Sequence, residues 1–226
     1  MAQAGIGSRR RCEELIEGGL VKVTTDRILV CGKPLKGPDK PIYGILNKPL
    51  GVLTTSRDPQ KRKTVLHLIP PGLPRLYPVG RLDADSAGLL LLTNDGELAN
   101  RLAHPRYGIE KIYRVTVSGS PTLDALSRVR KGITLPEGRT QPCRIRVLRG
   151  GPERSLLLVV VKEGKRRQIR RMFQAVGHPV LSLIRTGIGP LELGDLPEGS
   201  FRLLRKSEIS ALKESAGLRL DIPVAK

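Results

Sequence analysis

The chain has 226 residues with 40 Lys or Arg against 21 Asp or Glu, and its formal charge of +19 points to a polyanionic partner, foremost nucleic acid. The longest apolar run, residues 156–161, is too short to span a bilayer, and the lack of a long basic amphipathic helix argues against a membrane-surface protein. The three cysteines are widely spaced, which argues against a disulfide framework or a zinc site. The chain has only four Tyr and two Phe, too few for an RNA-binding module that stacks successive bases on aromatic side chains.

The amino terminus has no apolar stretch of signal-peptide length, which predicts a cytosolic protein. Residues 8–17 predict a short helix that Ser8 caps and that the pair Gly18-Gly19 ends. Its apolar face is expected to carry Cys12, Leu15 and Ile16. Its basic face, which we expect to contact RNA, carries Arg9, Arg10 and Arg11.

A short β-like stretch at residues 28–30 is followed by a segment rich in Gly, Pro and Lys, residues 32–41, which is typical of a linker. We therefore divide the chain near residue 40 into a small domain, 1–40, and a larger domain, 41–226. The small domain has eight Lys or Arg and five Asp or Glu, a balance of +3, which leaves +16 for the larger domain. Most of the positive field is thus expected on the larger domain.

Strand and helix patterns alternate through the larger domain. Strands are predicted at residues 42–46, 88–93, 111–118, 143–147 and 156–162. Helices are predicted after Asp95, from Ser120-Pro121 to Gly132, and around residues 169–176. These elements predict an α+β domain in which helices flank a mixed, largely antiparallel sheet. The tail, residues 213–226, is mixed in charge and without a clear period, which predicts disorder.

The tetrapeptide Gly80-Arg81-Leu82-Asp83, which stands before the apolar run GLLLLT, is the first candidate for chemistry. Burial raises the pKa of a carboxylate whereas a close guanidinium favours its ionised form, so this pair can keep a dry aspartate charged and nucleophilic. The alternative is an aspartate at a strand end that caps a turn. Taken alone, the tetrapeptide favours that alternative.

The basic stretch EGKRRQIRRMFQAVG, residues 163–177, is the second candidate. Its apolar residues recur with helical spacing: Ile169, Met172, Phe173 and Val176. Arg170 is expected to project from the flank of the buried face toward a cleft, while Arg167 and Arg171 point outward. The expected RNA contacts of this stretch are Lys165, Arg166, Arg167 and Arg171. A solvated basic face is the alternative, but arginine is dense enough at this helix start to make phosphate contact an equal expectation.

Tyr113 shares a strand face with Val115 and Val117, where a tyrosine usually belongs to the core. At the edge of the same core, its ring can stack on a flipped base. The sequence lacks dinucleotide and phosphate-loop motifs, and its three histidines are scattered, so we expect no cofactor and no metal.

Five segments match one family in order along residues 41–204: NKPLGVLTT, YPVGRLDADSAGLLLLTNDGELANRLAHP, KIYRVTVSG, EGKRRQIRRMFQAVGHPV and LIRTGIGPLELGDLPEGSFRLL. On these segments the chain resembles the bacterial ribosomal RNA pseudouridine synthases that carry an amino-terminal S4-like domain. The resemblance implies the family's α+β catalytic fold over residues 41–226. It also implies a small S4-like α/β RNA-binding domain over residues 1–40.

The resemblance implies that Asp83 is the catalytic residue, that Tyr113 stacks on the target base, and that Arg170 pairs with the aspartate. Arg81 would add positive charge beside it. The implied reaction isomerises uridine in folded RNA: the bond from C1′ to N1 breaks, the uracil turns while bound, and C5 joins C1′. No redox step or group donor is involved, so no cofactor is implied. The carboxylate would add to C1′ or to C6, or help to remove the C1′-side proton.

The small domain departs from the family pattern. SRRRCEELIEGGLVKV resembles the second helix and following strand of an S4-like domain, but the preceding helix survives only as MAQAG. The turn between Val23 and Arg27 is also short. We therefore expect an incomplete S4-like domain with reduced affinity for RNA.

The expected partner is ribosomal RNA, of the large subunit rather than the small, or a pre-ribosomal particle. We expect a cytoplasmic monomer without membrane attachment. One alternative hypothesis is a catalytically inactive S4-type RNA-binding or ribosome-assembly factor, against which the complete set Asp83, Tyr113 and Arg170 speaks. A weaker alternative is a glycoside hydrolase with Asp83 and Asp85 as paired carboxylates, although such enzymes rarely need so positive a surface.

Overall fold

A nine-stranded mixed sheet, whose strands lie between residues 43 and 203, organises most of the chain. The computed structural model describes residues 1, 4–37, 39–56 and 58–218. The helices within these residues are α1 (Arg9–Glu17), α2 (Gly96–Ala103), α3 (Leu123–Lys131), α4 (Gln168–Gln174) and α5 (Lys206–Ser215), with 3-10 turns at Val65–Leu68 and Pro105–Tyr107. The strands are β1 (Val21–Val23), β2 (Ile28–Val30), β3 (Lys33–Pro34), β4 (Tyr43–Lys48), β5 (Tyr77–Pro78), β6 (Ala87–Thr93), β7 (Lys111–Ser118), β8 (Thr134–Leu135), β9 (Gly138–Arg139), β10 (Arg144–Arg149), β11 (Arg154–Val161), β12 (Val180–Ile188), β13 (Leu191–Glu192) and β14 (Phe201–Leu203).

The strands of the large sheet run in the order β10-β11-β7-β12-β6-β4-β14, with β13 paired to β12 and β5 paired to β6. Strands β12 and β6 are parallel, and the other paired neighbours in this sheet are antiparallel. The α+β class and the mixed, largely antiparallel sheet predicted from the sequence are therefore confirmed.

Strand β6, which the sequence predicted at residues 88–93, carries hydrophobic core on both faces. All of its residues are buried. Leu89 and Leu91 pack on one side with α2 and α5, whereas Leu90 and Leu92 pack on the other side with the segment that follows β4. Successive side chains of a strand point to opposite faces, so a strand whose residues are all buried must be covered on both faces. This central strand fixes the position of the loop that precedes it, which contains Asp83.

A second core lies where α3 and α4 cover β7 and β11. Ile169, Met172 and Phe173 of α4 are buried there, as their spacing predicted. Tyr113 packs against both this core and the one between β6 and the segment after β4. The tyrosine therefore lies at the border between the two cores.

Two predicted elements differ in detail from the structure. Helix α3 begins at Leu123 rather than at Ser120-Pro121, because the side chain of Thr122 accepts a hydrogen bond from the backbone of Ala125 and caps the helix. Strand β10 runs from Arg144 to Arg149 rather than over residues 143–147, and its register shifts just after Val147, whose side chain is 46% exposed.

Within the predicted small domain, the structure contains α1 and a three-stranded sheet in the order β1-β2-β3. Ser8 caps α1 and Gly18 ends it, as predicted. Its apolar face is narrower than expected, because Cys12 and Leu15 are buried while Ile16 is exposed. The segment expected to be a linker contains the short strand β3.

Helix α5 extends past residue 213, where the disordered tail was expected to begin. Leu212 and Ala216 are buried in the same core as α2, and the Arg101 guanidinium donates to the carbonyl oxygens of Ala216 (3.2 Å) and Gly217 (3.0 Å). The prediction of disorder is therefore wrong for residues 213–218, and residues 219–226 lie outside the described part of the chain. Among the described helices, none combines the length and the apolar composition needed to cross a membrane.

Candidate active site

A cleft of about 700 Å³ opens beside the loop that leads into β6. Its lining includes six of the residues predicted from the sequence: Arg81, Asp83, Tyr113, Lys165, Arg166 and Arg167. Arg170 and Arg171 belong to α4 but do not line the cleft, and the three predicted arginines of α1 belong to the small domain. The cleft therefore unites the candidate carboxylate, the candidate stacking ring and part of the basic stretch.

The loop that carries Asp83 is held in place by the segment that follows β4. The Thr54 hydroxyl donates to the Leu82 carbonyl oxygen (2.7 Å) and accepts from the Leu82 amide (3.3 Å). The Gly51 amide donates to the Ala84 carbonyl oxygen at 2.8 Å. Both neighbours of Asp83 in the chain are thus fixed by hydrogen bonds, which limits the positions that its carboxylate can take.

Lys48, the last residue of β4, is a site residue that the sequence prediction did not include. Its side chain is fully buried, and Nζ donates to the carbonyl oxygens of Pro49 (2.9 Å) and Ser86 (2.8 Å). Burial is the largest influence on this lysine and lowers its pKa to about 8, although the charges of Asp83 and Asp85 act in the opposite direction. Lys48 therefore ties the end of the Asp83 loop to β4. The segment NKPLGVLTT, in which it lies, was the available signal.

The Asp83 carboxylate lies at the cleft with 37% of its side chain exposed. Its ion-pair partner in the described structure is Arg167, whose Nη1 is 3.8 Å from Oδ2. Arg81 is exposed and forms no ion pair with Asp83 within the described residues. The predicted dry crevice with Arg81 at the carboxylate is therefore wrong. Partial exposure instead leaves the carboxylate accessible to a ligand in the cleft.

Asp85 makes the arginine contacts that the sequence assigned to Asp83. Nη1 and Nη2 of Arg167 donate to its two carboxylate oxygens at 3.1 and 2.7 Å. Nε of Arg170 is 3.3 Å from Oδ2, and its Nη2 donates to the Asp85 carbonyl oxygen at 2.5 Å. The hydrogen bonds from Arg167 are the main cause that holds the pKa of Asp85 below its usual value. The expected pairing of Arg170 with Asp83 is wrong, because a further bond to the Val180 carbonyl oxygen (3.2 Å) directs this guanidinium to Asp85.

Arg167 points toward the site rather than outward as predicted. It precedes α4 with φ 51° and ψ 32°, a left-handed conformation that is uncommon for residues other than glycine. The chain therefore turns at this residue, and its guanidinium reaches the Asp83 loop. Helical spacing alone assumes a continuous helix, so it could not reveal this turn.

The other basic residues of the stretch differ in their availability to RNA. Nζ of Lys165 donates to the carbonyl oxygens of Arg139 (2.7 Å) and Gly138 (3.0 Å). Arg171 forms an ion pair with Glu137, with 2.7 Å between Nη1 and Oε1. Arg166 is exposed and lines the cleft. Of these three residues, Arg166 is thus the one best placed to meet a phosphate.

The arginines of α1 form a separate basic surface. Arg10 and Arg11 are exposed, and both form ion pairs with Glu14. Nε of Arg10 is 3.9 Å from Oε1 of Glu14, and Nη1 of Arg11 is 3.0 Å from Oε2. The side chain of Arg9 lies outside the described part of the structure. Ion pairs as exposed as these are weak, so both described guanidinium groups are available to a polyanion.

Tyr113 is half buried on β7 and has two buried cations beside it. Lys111 precedes it by two residues and therefore faces the same side of the sheet. Arg185 lies directly opposite Tyr113 on β12. Burial, followed by the charge of Arg185, lowers the pKa of Lys111 to about 8. The sequence prediction included neither cation, although a lysine at an inward position of an alternating strand is a recognisable signal.

Within the described residues, no three His, Cys, Asp or Glu side chains are grouped so that they could hold a metal ion. Two of the histidines contact neighbouring polar groups: His67 lies 3.0 Å from the Thr64 hydroxyl, and His178 lies 2.9 Å from the Ser118 carbonyl oxygen. The cleft contains a fixed carboxylate, an aromatic ring and several cations. Such a carboxylate can attack an electrophilic carbon or accept a proton.

Comparison with known proteins gives consistent matches. A family model described as RNA pseudouridylate synthase matches residues 42–175. The chain is 41% identical to an uncharacterized RNA pseudouridine synthase of Aquifex aeolicus, over 97% of this chain and 94% of that protein. It is 40% identical to ribosomal large subunit pseudouridine synthase B of Bacillus subtilis, over 96% and 94% of the two chains. The crystal structure of a pseudouridylate synthase superposes with a TM-score of 0.71 at 29% identity, covering 93% of this chain and 96% of the other.

Proposed function

This chain belongs to the family of RNA pseudouridylate synthases, which are isomerases, and on that premise we propose that it converts a uridine of large-subunit ribosomal RNA to pseudouridine with Asp83 as the reacting carboxylate. The observation that carries the proposal is the position of Asp83, on a loop fixed by backbone hydrogen bonds at a cleft that Tyr113 also lines. The fold that supports this cleft is that of a pseudouridylate synthase.

The proposed reaction changes the connectivity of the nucleotide and keeps its composition. The C1′–N1 bond breaks, the uracil turns in the cleft, and a C1′–C5 bond forms; C5 gives up its hydrogen to water as a proton, and N1 takes up a proton from water. Asp83 acts by addition to C1′, by addition to C6, or by taking the C1′-side proton. Its partial exposure suits each of these roles, because the carboxylate must contact the nucleotide directly.

Asp85 and its arginines have a supporting role in this proposal. The carboxylate of Asp85 is occupied by Arg167 and approached by Arg170, so it is not free to react. The two arginines instead connect α4 to the Asp83 loop and leave one guanidinium 3.8 Å from the Asp83 carboxylate. We infer that this network positions Asp83 at the cleft.

The choice of large-subunit ribosomal RNA rests on the similarity to the Bacillus subtilis protein, which is named for the large ribosomal subunit. The target base must leave its helical stack to reach a carboxylate in a cleft, and Tyr113 offers the ring on which it would rest. The charge of +19 supports the long-range attraction of the RNA.

Residues 1–40 would serve as an additional RNA contact in this proposal. Their helix and three-stranded sheet, with exposed Arg10 and Arg11, support the hypothesis of a shortened S4-like domain. We propose that the enzyme acts as a monomer in the cytoplasm, where ribosomal RNA or a pre-ribosomal particle is its partner.

The proposed chemistry can be tested with large-subunit RNA that carries tritium at C5 of uridine. Isomerisation releases this tritium to water, so release measures the formation of the new C1′–C5 bond. Asp83→Asn is expected to lower the rate by at least about 10³-fold while keeping most of the affinity for RNA, because the amide cannot act as nucleophile or base. Asp195→Asn, a change at an exposed aspartate on another loop, is the matched control and should keep full release.

Release that persists in Asp83→Asn would remove Asp83 from its proposed role. If the unmodified chain binds RNA but releases no tritium from large-subunit RNA, small-subunit RNA or total RNA, the result would favour the hypothesis of a catalytically inactive RNA-binding factor. Release from small-subunit RNA alone would correct the choice of substrate and leave the reaction in place.

A further inference from the structure

A second cavity, of about 280 Å³, lies beside the main cleft. Arg81, Tyr113 and Glu163 line both spaces, so the cavity adjoins the position proposed for the base. Its apolar walls include Val79, Leu102, Ala103, Pro105 and Ile188. Its charged lining consists of the cations Arg81, Lys111 and Arg185 and the single carboxylate of Glu163.

Glu163 does not neutralise these cations. Its Oε1 accepts hydrogen bonds from the Gln141 amide (2.8 Å) and from Nε2 of Gln168 (2.7 Å). Within the described residues, neither Lys111 nor Arg185 forms an ion pair with it or with another carboxylate. The cavity therefore has an excess of positive charge.

Lys111 and Arg185 are buried with polar atoms that lack partners. Lys111 is 9% exposed, and its Nζ has no hydrogen-bond acceptor among the described residues. Arg185 is 3% exposed; its Nε donates to the Leu89 carbonyl oxygen at 2.7 Å, but its Nη2 has no acceptor there. Burying a cation without a partner is costly, and two such cations in one place raise that cost further.

The sheet register brings both cations next to the ring of Tyr113. Lys111 and Tyr113 share one face of β7, and Arg185 is the cross-strand partner of Tyr113 on β12. A ligand that rests on the ring can therefore extend a negatively charged group into the cavity. Both nitrogen donors would then gain an acceptor in a space with apolar walls, where charge-assisted hydrogen bonds are strong.

We propose that Lys111 and Arg185 form an anion subsite that takes a phosphate group of the RNA backbone next to the base held at Tyr113. This inference rests on the proposed function, because the base at Tyr113 is part of that function. A phosphate fits the site better than a neutral uracil oxygen, since it carries full negative charge and enough oxygens for both cations. Arg81, exposed at the edge of the cavity, provides a third cation for the same group.

The subsite can be tested by titration calorimetry with uridine 5′-monophosphate, uridine and inorganic phosphate at low ionic strength. The unmodified protein should bind the monophosphate at least about tenfold more tightly than uridine, and inorganic phosphate should compete with the former but not with the latter. Lys111→Met should remove most of this tenfold advantage. Lys131→Met removes the same charge from an exposed position of α3 and should keep the advantage.

The thermal unfolding temperature separates binding from a structural role. Since Lys111 has no partner to lose, Lys111→Met should unfold at a temperature no lower than that of the unmodified protein. Lys111→Gln, which keeps polarity without charge, is the second variant and should lose the same binding advantage. A phosphate advantage retained in both variants, or an equal loss of affinity for uridine and its monophosphate, would overturn the assignment of a phosphate subsite.

The two proposals fail in different ways. If Lys111→Met and Lys111→Gln bind inorganic phosphate as the unmodified protein does while tritium release from RNA is normal, the subsite is wrong and the proposed function stands. If the unmodified protein releases no tritium but loses phosphate binding in both variants, the anion subsite stands and the proposed function is wrong.

Discussion

Two aspartates only two positions apart have different environments at this site. Asp83 is partly exposed and has one guanidinium at 3.8 Å, whereas the Asp85 carboxylate accepts two hydrogen bonds from Arg167 and lies 3.3 Å from Arg170. The hypothesis of a glycoside hydrolase required both carboxylates to react. Because Asp85 is engaged by two arginines, the structure disfavours that hypothesis and leaves Asp83 as the carboxylate available for chemistry.

The buried Lys111 predicts a specific dependence of stability on pH. The pKa of Lys111 is about 8 in the folded chain, whereas a lysine exposed to water, as in the unfolded chain, has a pKa of 10.5. Between pH 8 and 10.5 the unfolded state therefore binds more protons than the folded state, and the free energy of unfolding rises with pH. The groups around it are Arg185 on β12, Arg81 before β6 and Glu163 after β11. Lys111→Met lacks this pH-dependent contribution to the free energy of unfolding. Its free energy of unfolding should exceed that of the unmodified protein at pH 7, and the difference should shrink by up to about 3 kcal/mol between pH 8 and 10.5.

Urea denaturation at pH 7, 8, 9 and 10 would measure this difference, since titrations elsewhere in the molecule cancel between the two proteins. Lys131→Met, at an exposed position, should differ from the unmodified protein by an amount that does not change with pH. If the difference in free energy of unfolding between Lys111→Met and the unmodified protein also does not change with pH, the lowered pKa of Lys111 would be contradicted.

At the scale of elements, β6 shows how one residue governs the distance between two strands. Gly88 has φ +102°, and a Cβ atom at this position would lie 2.2 Å from the carbonyl oxygen and 2.7 Å from the amide of Arg185. Gly88 pairs with Arg185 on β12 and with Lys48 on β4. The close approach of the two backbones therefore leaves no room for a side chain at position 88 between β6 and β12.

Gly88→Ala is expected to destabilise the fold by about 3 kcal/mol or more, because both its φ and the contact with backbone atoms oppose a side chain. Thermal or urea unfolding would measure this loss. Gly150→Ala is the matched control: it has no atom within 4 Å of the added Cβ and no positive φ, so its effect should stay within about 0.5 kcal/mol. Equal stability of the two variants would show that β6 and β12 can separate freely.

At the scale of the whole molecule, positive charge lies both at the cleft and on the small domain. Arg81, Arg166 and Arg167 line the cleft, while Arg10 and Arg11 are exposed on α1. A single RNA that contacts both regions would displace counterions from each. Binding should therefore depend steeply on salt and draw on both domains.

Filter binding of ribosomal RNA fragments should show an affinity that falls by at least about 100-fold between 50 and 200 mM salt, as expected for about four or more phosphate contacts. Arg10→Gln combined with Arg11→Gln should lower the slope of log affinity against log salt by up to about 2, without changing the unfolding temperature. An unchanged slope would mean that α1 does not contact the RNA, and an affinity independent of salt would contradict the electrostatic basis of binding.

Local sequence patterns determined most of the architecture of this protein. The apolar run of β6, the alternation of β7 and the helical spacing of α4 each predicted their element, because the burial of a side chain follows directly from the period of the strand or helix. The motif before β6 and the tyrosine on β7 likewise predicted residues that line one cleft.

Only the tertiary structure decided which charged groups meet. Arg167 and Asp85 are 82 positions apart in the chain, and their contact depends on a left-handed turn before α4 that no local period encodes. Lys48 and Lys111 each experience the charge of Arg185, because the register of β4, β6, β12 and β7 brings them to the same region of the sheet. Hydrophobic periodicity is a property of neighbouring residues, whereas the partner of a charge is set by strand register and loop conformation, which depend on the packing of the entire chain.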